Sequence, residues 1–329
     1  MSGNQPMTLG KIRVLATYAM PDRVVEAIRS FADLTVLEGE NDRARVLASC
    51  RDHDVLICTL MNRIDAGFVA ELPASIRLVA TYSVGYDHVE VKALAGRGIP
   101  FINTPDVLTE ATADIAWLLL LGTARRGWEA QSMLRAGRWM GWEPTQLVGA
   151  DLCGKTLGIL GFGRIGRATA RRSVGFGMKV KTHLRNPASS RDIPADVEVC
   201  ASMEEVLATS DFLSLHLPLT DATRKWLNAE RIASMKPGAI VINTARGGLI
   251  DEAALVASLE AGHLGGAGLD VFDGEPRVSP SILAAPRTYL LPHVGSATVS
   301  AREGMGLSLA NDIKAFAAGQ PLACAVAPL

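Results

Sequence analysis

The chain has 329 residues, 48% of them hydrophobic and 20% charged, with a formal net charge of −1. That length suits two domains of ordinary size, and the composition supports large buried cores and excludes a disordered chain. The balanced charge leaves no broad basic footprint, so no nucleic-acid partner is expected, although a single arginine can still hold a small anion.

In chain order, short β-branched runs alternate with helical patterns. Residues 12–17, 55–59 and 78–82 read as strands, with amphipathic helices over 21–31 and 42–51. A long helix covers 107–126. It contains the longest apolar run, residues 115–121, which is far shorter than the roughly 20 residues of a membrane span. Residues 127–149 carry Trp128, Trp139 and Trp142 without clear periodicity and read as a loop or arm. A second series follows, with strands over 156–161, 179–183, 212–216, 239–243 and 289–291, a helix over 251–261 and a last helix over 299–318. Apolar strands alternating with helices imply an α/β protein whose parallel sheets are covered on both faces.

Cys50, Cys58, Cys153, Cys200 and Cys324 are scattered without zinc-type spacing and read as free thiols of a reducing compartment; no metal is expected. Residues 1–10 lack the basic stretch and apolar core of a secretory signal. A cytoplasmic protein with no membrane partner is expected.

The strand over 156–161 runs into Gly161, Phe162, Gly163, Arg164, Ile165 and Gly166, and a helical pattern continues from there. A G-x-G-x-x-G turn between strand and helix is a dinucleotide signature. Gly161 permits the tight turn, Gly163 admits a pyrophosphate, and Gly166 lets helix and strand pack closely. The helix start then offers N–H groups and a favourable dipole to the phosphates. The next strand of such a unit normally ends in an acid that binds the ribose hydroxyls. Here Leu184 takes that position, followed by Arg185 and Asn186. An arginine there suits a 2′-phosphate, so NADP(H) is preferred, with NAD(H) as the alternative cofactor.

Reduction of a 2-keto acid needs a cation for the carboxylate and carbonyl, a proton donor, and a carboxylate that keeps the donor charged. Three residues supply this set. Arg246 follows the apolar run over 238–243, at the strand end where ligands bind in open α/β sheets. His293 follows another apolar run, and Glu275 lies in the segment before it. Arginine matches a carboxylate with its planar fork, histidine titrates near working pH, and a glutamate beside it favours the imidazolium.

These segments resemble the D-2-hydroxyacid dehydrogenase family. The likeness runs from about Lys11 to the last helix and rests on GFGRIG, NTARGGLIDE, LDVFDGEP and LPHVGSAT in that order. The family's catalytic arginine, glutamate and histidine correspond to Arg246, Glu275 and His293. The resemblance implies two Rossmann-like or flavodoxin-like parallel-sheet domains with the active site in the cleft between them. The substrate-binding domain would comprise residues 1–104 plus 295–329, and the dinucleotide-binding domain residues 105–294. The same resemblance implies a homodimer through the cofactor domain and the Trp-rich arm.

Residues 83–88, SVGYDH, resemble the family's carboxylate-binding loop, with the N–H groups of Val84 and Gly85 holding the substrate anion. Residues 104–114 are similar to the glyoxylate/hydroxypyruvate reductase branch. By resemblance, Thr112, Thr244, Ala245, Arg246, Asp270, His293 and Gly295 face the cofactor. For Asp270 a loop-capping carboxylate is the equal alternative. Trp142 would reach toward the substrate of a partner subunit, with packing inside its own arm as the alternative. His88 and His216 are given no catalytic role. The family reading implies an NADPH-preferring reductase of small 2-keto acids with His293 as proton donor. Reduction of 2-ketogluconate is the sibling alternative. A dinucleotide-sensing, corepressor-like protein is the alternative of another class.

Overall fold

The computed structural model describes residues 11–186 and 193–327. Residues 1–10, on which the reading of the N-terminus rests, lie outside the described residues. In chain order the first elements are β1 (Ile12–Ala16), α1 (Asp22–Arg29), β2 (Ala32–Val36), α2 (Arg43–Ser49), β3 (Val55–Cys58), α3 (Ala66–Glu71), β4 (Leu78–Thr81), α4 (Val91–Gly96) and β5 (Phe101–Ile102). Then come α5 (Thr109–Ala124), α6 (Gly127–Arg135), β6 (Thr156–Leu160), α7 (Arg164–Ser173), β7 (Lys179–Thr182), β8 (Val197–Val199), α8 (Met203–Thr209) and β9 (Phe212–Leu215). The last are α9 (Ala229–Ala233), β10 (Ile240–Asn243), α10 (Glu252–Glu260), β11 (Gly266–Leu269), α11 (Pro280–Ala284), β12 (Thr288–Leu290) and α12 (Val299–Ala317).

The chain divides into two compact units. One comprises Met1–Leu108 with Thr298–Leu329, and the other Thr109–Ala297. The first is built on a five-stranded parallel sheet in the order β2-β1-β3-β4-β5. The second carries a seven-stranded parallel sheet in the order β12-β11-β10-β9-β6-β7-β8. The first order is flavodoxin-like. The second reverses direction between β6 and β9, as dinucleotide-binding sheets do, and leaves a crevice at the carboxyl ends of those strands.

Local chemistry sets the helix starts. Asp42, Asp65, Ser202, Asp251 and Thr298 each accept a backbone N–H from three residues on, satisfying a donor that the first helical turn leaves unpaired. At α8 the Glu205 carboxylate also accepts the N–H of Ala201, the residue before the cap, at 2.8 Å. Seven of the strands end one residue before the runs read from the sequence do. Thr17, Thr59, Tyr82, Gly161, His183, His216 and Leu291 already belong to the loops at the carboxyl edges of the sheets.

Four strands are not legible from alternation. β2 and β8 are edge strands with polar residues such as Asp33 and Glu198, and β5 has two residues. β11 reads GAGL, against strand propensity. Its glycines are demanded by packing: a Cβ on Gly268 would lie 2.9 Å from the Cβ of Leu119 on α5. Residues 127–149 are not wholly a loop as expected, because α6 occupies their first part. That helix buries none of its residues, so its sequence carries no apolar stripe to reveal it.

Helix α5 is apolar nearly all round and lies against both α7 and the sheet of the second unit. Trp117 donates its indole N–H to the carbonyl of Thr169 at 2.9 Å and stacks on Phe176. Leu119 and Leu120 are fully buried beside it. Among the described residues no helix is long and apolar enough to cross a membrane.

Leu119→Ala should cost the second unit about 2–5 kcal/mol of unfolding free energy, measured by urea denaturation. Leu118→Ala, one position along and 43% exposed, should change it by less than about 0.5 kcal/mol.

Candidate active site

Three loops of the second unit meet at the carboxyl ends of β10, β11 and β12. Asn243 closes β10 and is fully buried. Its Oδ1 accepts the N–H of Ala245 at 3.0 Å, and its Nδ2 donates to the carbonyl of Arg246 at 2.8 Å. This Asx-type turn presents Arg246, half-buried, whose Nη1 donates to the carbonyl of Ala245 at 2.8 Å. The Thr244 hydroxyl is buried beside it and has no hydrogen-bond partner among the described residues.

Asp270 follows β11 and is 1% exposed. Its N–H donates to the carbonyl of Asn243 at 3.0 Å, tying two strand ends together. Its carbonyl accepts the N–H of His293 at 2.9 Å. Its Oδ1 accepts the N–H of Val294 and its Oδ2 that of Gly295, each at 2.7 Å. Asp270 therefore caps the loop that carries His293, and its contact with a cofactor stays a proposal. Burial pushes its carboxyl up to about 6, against the pull of the Val294 N–H, the His293 charge and the Gly295 N–H. Two N–H donors on separate oxygens are the arrangement of an ionised acceptor. Thr112, on α5, donates its hydroxyl to the carbonyl of Gly295 at 3.1 Å.

The clamp has a conformational effect. His293 sits at φ 54°, in the left-handed region that side chains other than glycine and asparagine seldom adopt. The three hydrogen bonds to Asp270 hold it there. So held, His293 Nδ1 lies 2.6 Å from Glu275 Oε2, and the other carboxylate oxygen accepts the N–H of Phe272 at 2.8 Å. Burial pushes the Glu275 carboxyl up. The hydrogen bond and charge of His293, the Phe272 N–H and the Arg246 charge outweigh it and hold the carboxyl below its ordinary value. Glu275 is thus a carboxylate at neutral pH, and the proton of the pair rests on His293 Nδ1. Among the described residues, no partner hydrogen-bonds the other ring nitrogen, Nε2.

The second feature is the turn between β6 and α7. Gly161 has φ 94°, and a Cβ there would lie 2.4 Å from the carbonyl oxygen of His216 at the end of β9. Only glycine fits. Gly166 packs against the carbonyl of Gly161. Phe162 is buried under the guanidinium of Arg167, Ile165 is half-buried and Arg164 exposed. Gly163 caps α7 without a side-chain hydrogen bond, and a Cβ there would meet nothing within 4 Å. The uncapped helix start, the open face at Gly163 and the buried Thr244 hydroxyl fit a nicotinamide dinucleotide, with phosphates at the first two and a polar head group near the third. His216 closes this crevice: its Nε2 bonds Ser214 Oγ at 2.9 Å, and burial drives its pKa down to about 4, so the ring is neutral.

At the end of β7, Leu184 is half-buried while Arg185 and Asn186 are exposed. Among the described residues no carboxylate pairs with Arg185. Trp142 is 79% exposed.

In the first unit, the turn of Ser83, Val84 and Gly85 follows β4. Ser83 donates its hydroxyl to the carbonyl of Gly85 at 2.7 Å, Asn103 Nδ2 donates to the carbonyl of Val84 at 2.8 Å, and the Thr104 N–H donates to the carbonyl of Ser83 at 3.0 Å. All three carbonyls are engaged. Among the described residues, the N–H groups of Val84 and Gly85 have no acceptor. Sequence reasoning missed Asn103 and Asn243, whose only local signal is an asparagine at a strand end.

A family model described as "D-isomer specific 2-hydroxyacid dehydrogenase, NAD binding domain" matches residues 117–295. The chain is 42% identical over 318 residues to a glyoxylate reductase of Thermococcus onnurineus, covering 94% of each chain. It is 39% identical over 323 residues to a glycerate dehydrogenase of Hyphomicrobium methylovorum, covering 97% of this chain and 100% of that one. Among solved structures it resembles an NADPH-dependent glyoxylate/hydroxypyruvate reductase of Sinorhizobium meliloti in complex with NADP and malonate. That match has a TM-score of 0.87 at 36% identity and covers 97% of this chain and 98% of the other. On this likeness, which spans both units, the chain belongs to the D-isomer specific 2-hydroxyacid dehydrogenase family and is an NAD(P)-dependent oxidoreductase.

Proposed function

We propose that this enzyme reduces small 2-keto acids, glyoxylate and hydroxypyruvate foremost, to 2-hydroxy acids, with NADPH preferred over NADH. The observation that carries the reading is the Glu275–His293 pair at 2.6 Å, with the Arg246 charge acting on it. The names of the relatives support the substrate class. In this reading residues 105–294 bind the dinucleotide, and residues 1–104 with 295–329 bind the substrate.

A nicotinamide dinucleotide, when bound, supplies the hydride. Gly161, Phe162, Gly163, Arg164, Ile165 and Gly166 hold its phosphates, and Leu184, Arg185 and Asn186 its adenosine ribose. Thr112, Thr244, Ala245, Asp270 and Gly295 frame the nicotinamide side. Arg246 holds the substrate carboxylate and polarises its carbonyl, and the N–H groups of Val84 and Gly85 share the carboxylate's charge. His293 gives a proton from Nε2 to the oxygen that becomes the alkoxide. Glu275, kept ionised, fixes the ring by accepting from Nδ1–H, which leaves Nε2 to face the substrate.

The exposed Trp128, Trp139, Met140 and Trp142 on the segment after α5 support a homodimer in which a second copy covers this apolar surface. Trp142 would then line the partner's substrate site.

Nicotinamide absorbance with purified enzyme and glyoxylate, hydroxypyruvate or 2-ketogluconate tests the reading. Fast NADPH oxidation with the two small acids is expected. Arg185→Ala should raise the KM for NADPH about tenfold or more and leave that for NADH within about twofold. A wild-type preference for NADH would overturn the role of Arg185 alone. Dinucleotide binding without turnover on any keto acid would favour a sensor.

His293→Ala should lower kcat by about 100-fold or more, with dinucleotide affinity unchanged by fluorescence titration. Equal loss of both would remove His293 as the donor. Glu275→Gln removes the carboxylate that accepts from His293 Nδ1 and should lower kcat by about tenfold or more, with dinucleotide affinity within about twofold by fluorescence titration.

A further inference from the structure

The residues after α12 fold back along the edge of the first unit's sheet. Ala325 forms an antiparallel bridge to Ile102. Val326 donates its N–H to the carbonyl of Phe101 at 2.9 Å, and Asn103 donates its N–H to the carbonyl of Cys324 at 3.3 Å. β5 is the outermost strand, with only two residues, so this strap gives it the neighbour that an open edge lacks. Along the strap Leu322, Cys324 and Val326 are half-buried while Pro321, Ala323 and Ala325 are exposed, the two-residue period of extended chain.

One buried carboxylate fixes the strap. Asp312, on α12 and 3% exposed, accepts the N–H of Ala323 at 2.9 Å and that of Cys324 at 2.8 Å. A continuous chain of hydrogen bonds therefore runs from Asp312 to Cys324, from Cys324 to Asn103, and from the Asn103 side chain to the carbonyl of Val84. The last contact decides which way the Val84–Gly85 peptide faces. With its carbonyl held by Asn103, its N–H is turned away from Asn103; a flip of this peptide would break the contact and present a carbonyl where an anion needs a donor.

We propose that the strap is a positioning element for the substrate-carboxylate turn: it holds the backbone of Asn103, and Asn103 holds the Val84–Gly85 peptide in its anion-binding orientation. The inference rests on the reading of that turn as a carboxylate site. Without the strap, Asn103 would hang on a two-residue edge strand, which frays readily.

The test is steady-state kinetics with glyoxylate and NADPH on three kinds of variant, with thermal melts alongside. Val326→Pro removes the N–H that bonds Phe101. Asp312→Ala removes both acceptors, and Asp312→Asn keeps one. Asn103→Leu removes the final contact. Val326→Pro and Asp312→Ala should raise the KM for glyoxylate about three- to tenfold, with kcat within about twofold and the KM for NADPH unchanged. Asp312→Asn should lie between Asp312→Ala and the wild type. Asn103→Leu should raise the KM for glyoxylate by about tenfold or more. An unchanged KM in Asn103→Leu would sink the reading of the turn and the strap's role with it. A raised KM in Asn103→Leu, with wild-type values in folded Val326→Pro and Asp312→Ala, would leave the turn standing and overturn the strap. Parallel losses in kcat and in both KM values would also overturn it, since general loosening would explain them.

Discussion

The candidate active site depends on one buried carboxylate. Asp270 ties two loops to its own: its N–H reaches the end of β10, its carbonyl takes the N–H of His293, and its two side-chain oxygens take the next two N–H groups. A histidine at φ 54° carries a backbone cost of about 1–3 kcal/mol, and these hydrogen bonds offset it. Without them the loop would relax toward an ordinary conformation and the imidazole would leave Glu275. The position of the proposed proton donor is therefore set by backbone geometry as much as by its own side-chain partner.

The two carboxylates near His293 differ because their surroundings differ. Glu275 keeps a charge partner in His293 and a second cation in Arg246, and these outweigh its burial. Asp270 has two backbone donors and the His293 charge but no side-chain hydrogen bond from a cation, and burial wins. Such a split separates a group that tunes a proton from a group that shapes a loop. The same division recurs in the first unit, where Asn103 and Ser83 engage carbonyls so that N–H groups remain available.

Local signals made much of this legible. The glycines of the β6–α7 turn have a mechanical reason that sequence context reveals, and Arg246, Glu275 and His293 announce themselves by residue type beside apolar runs. The relations that bind the site are not local. Asp270 and His293, or Val84 and Asn103, are paired by the fold, and no spacing rule names them. Helix α6 escaped because it buries nothing, and β11 because its glycines answer to the side chains of α5. Strand ends were overrun by one residue because Thr17, Thr59, Tyr82 and others continue the extended chain into the loops.

The division of the chain has a consequence for how it is made. The second unit is one continuous stretch, Thr109–Ala297, whereas the first needs Met1–Leu108 together with Thr298–Leu329. As the polypeptide leaves the ribosome, the dinucleotide-type sheet has all its strands before α12 and the strap emerge, so it can fold first. The flavodoxin-like sheet, with its outer strand lacking the strap and one of its core-lining helices missing, must wait until α12 and the strap have been made. Chaperone dependence should therefore concentrate in the part of the molecule that was translated earliest.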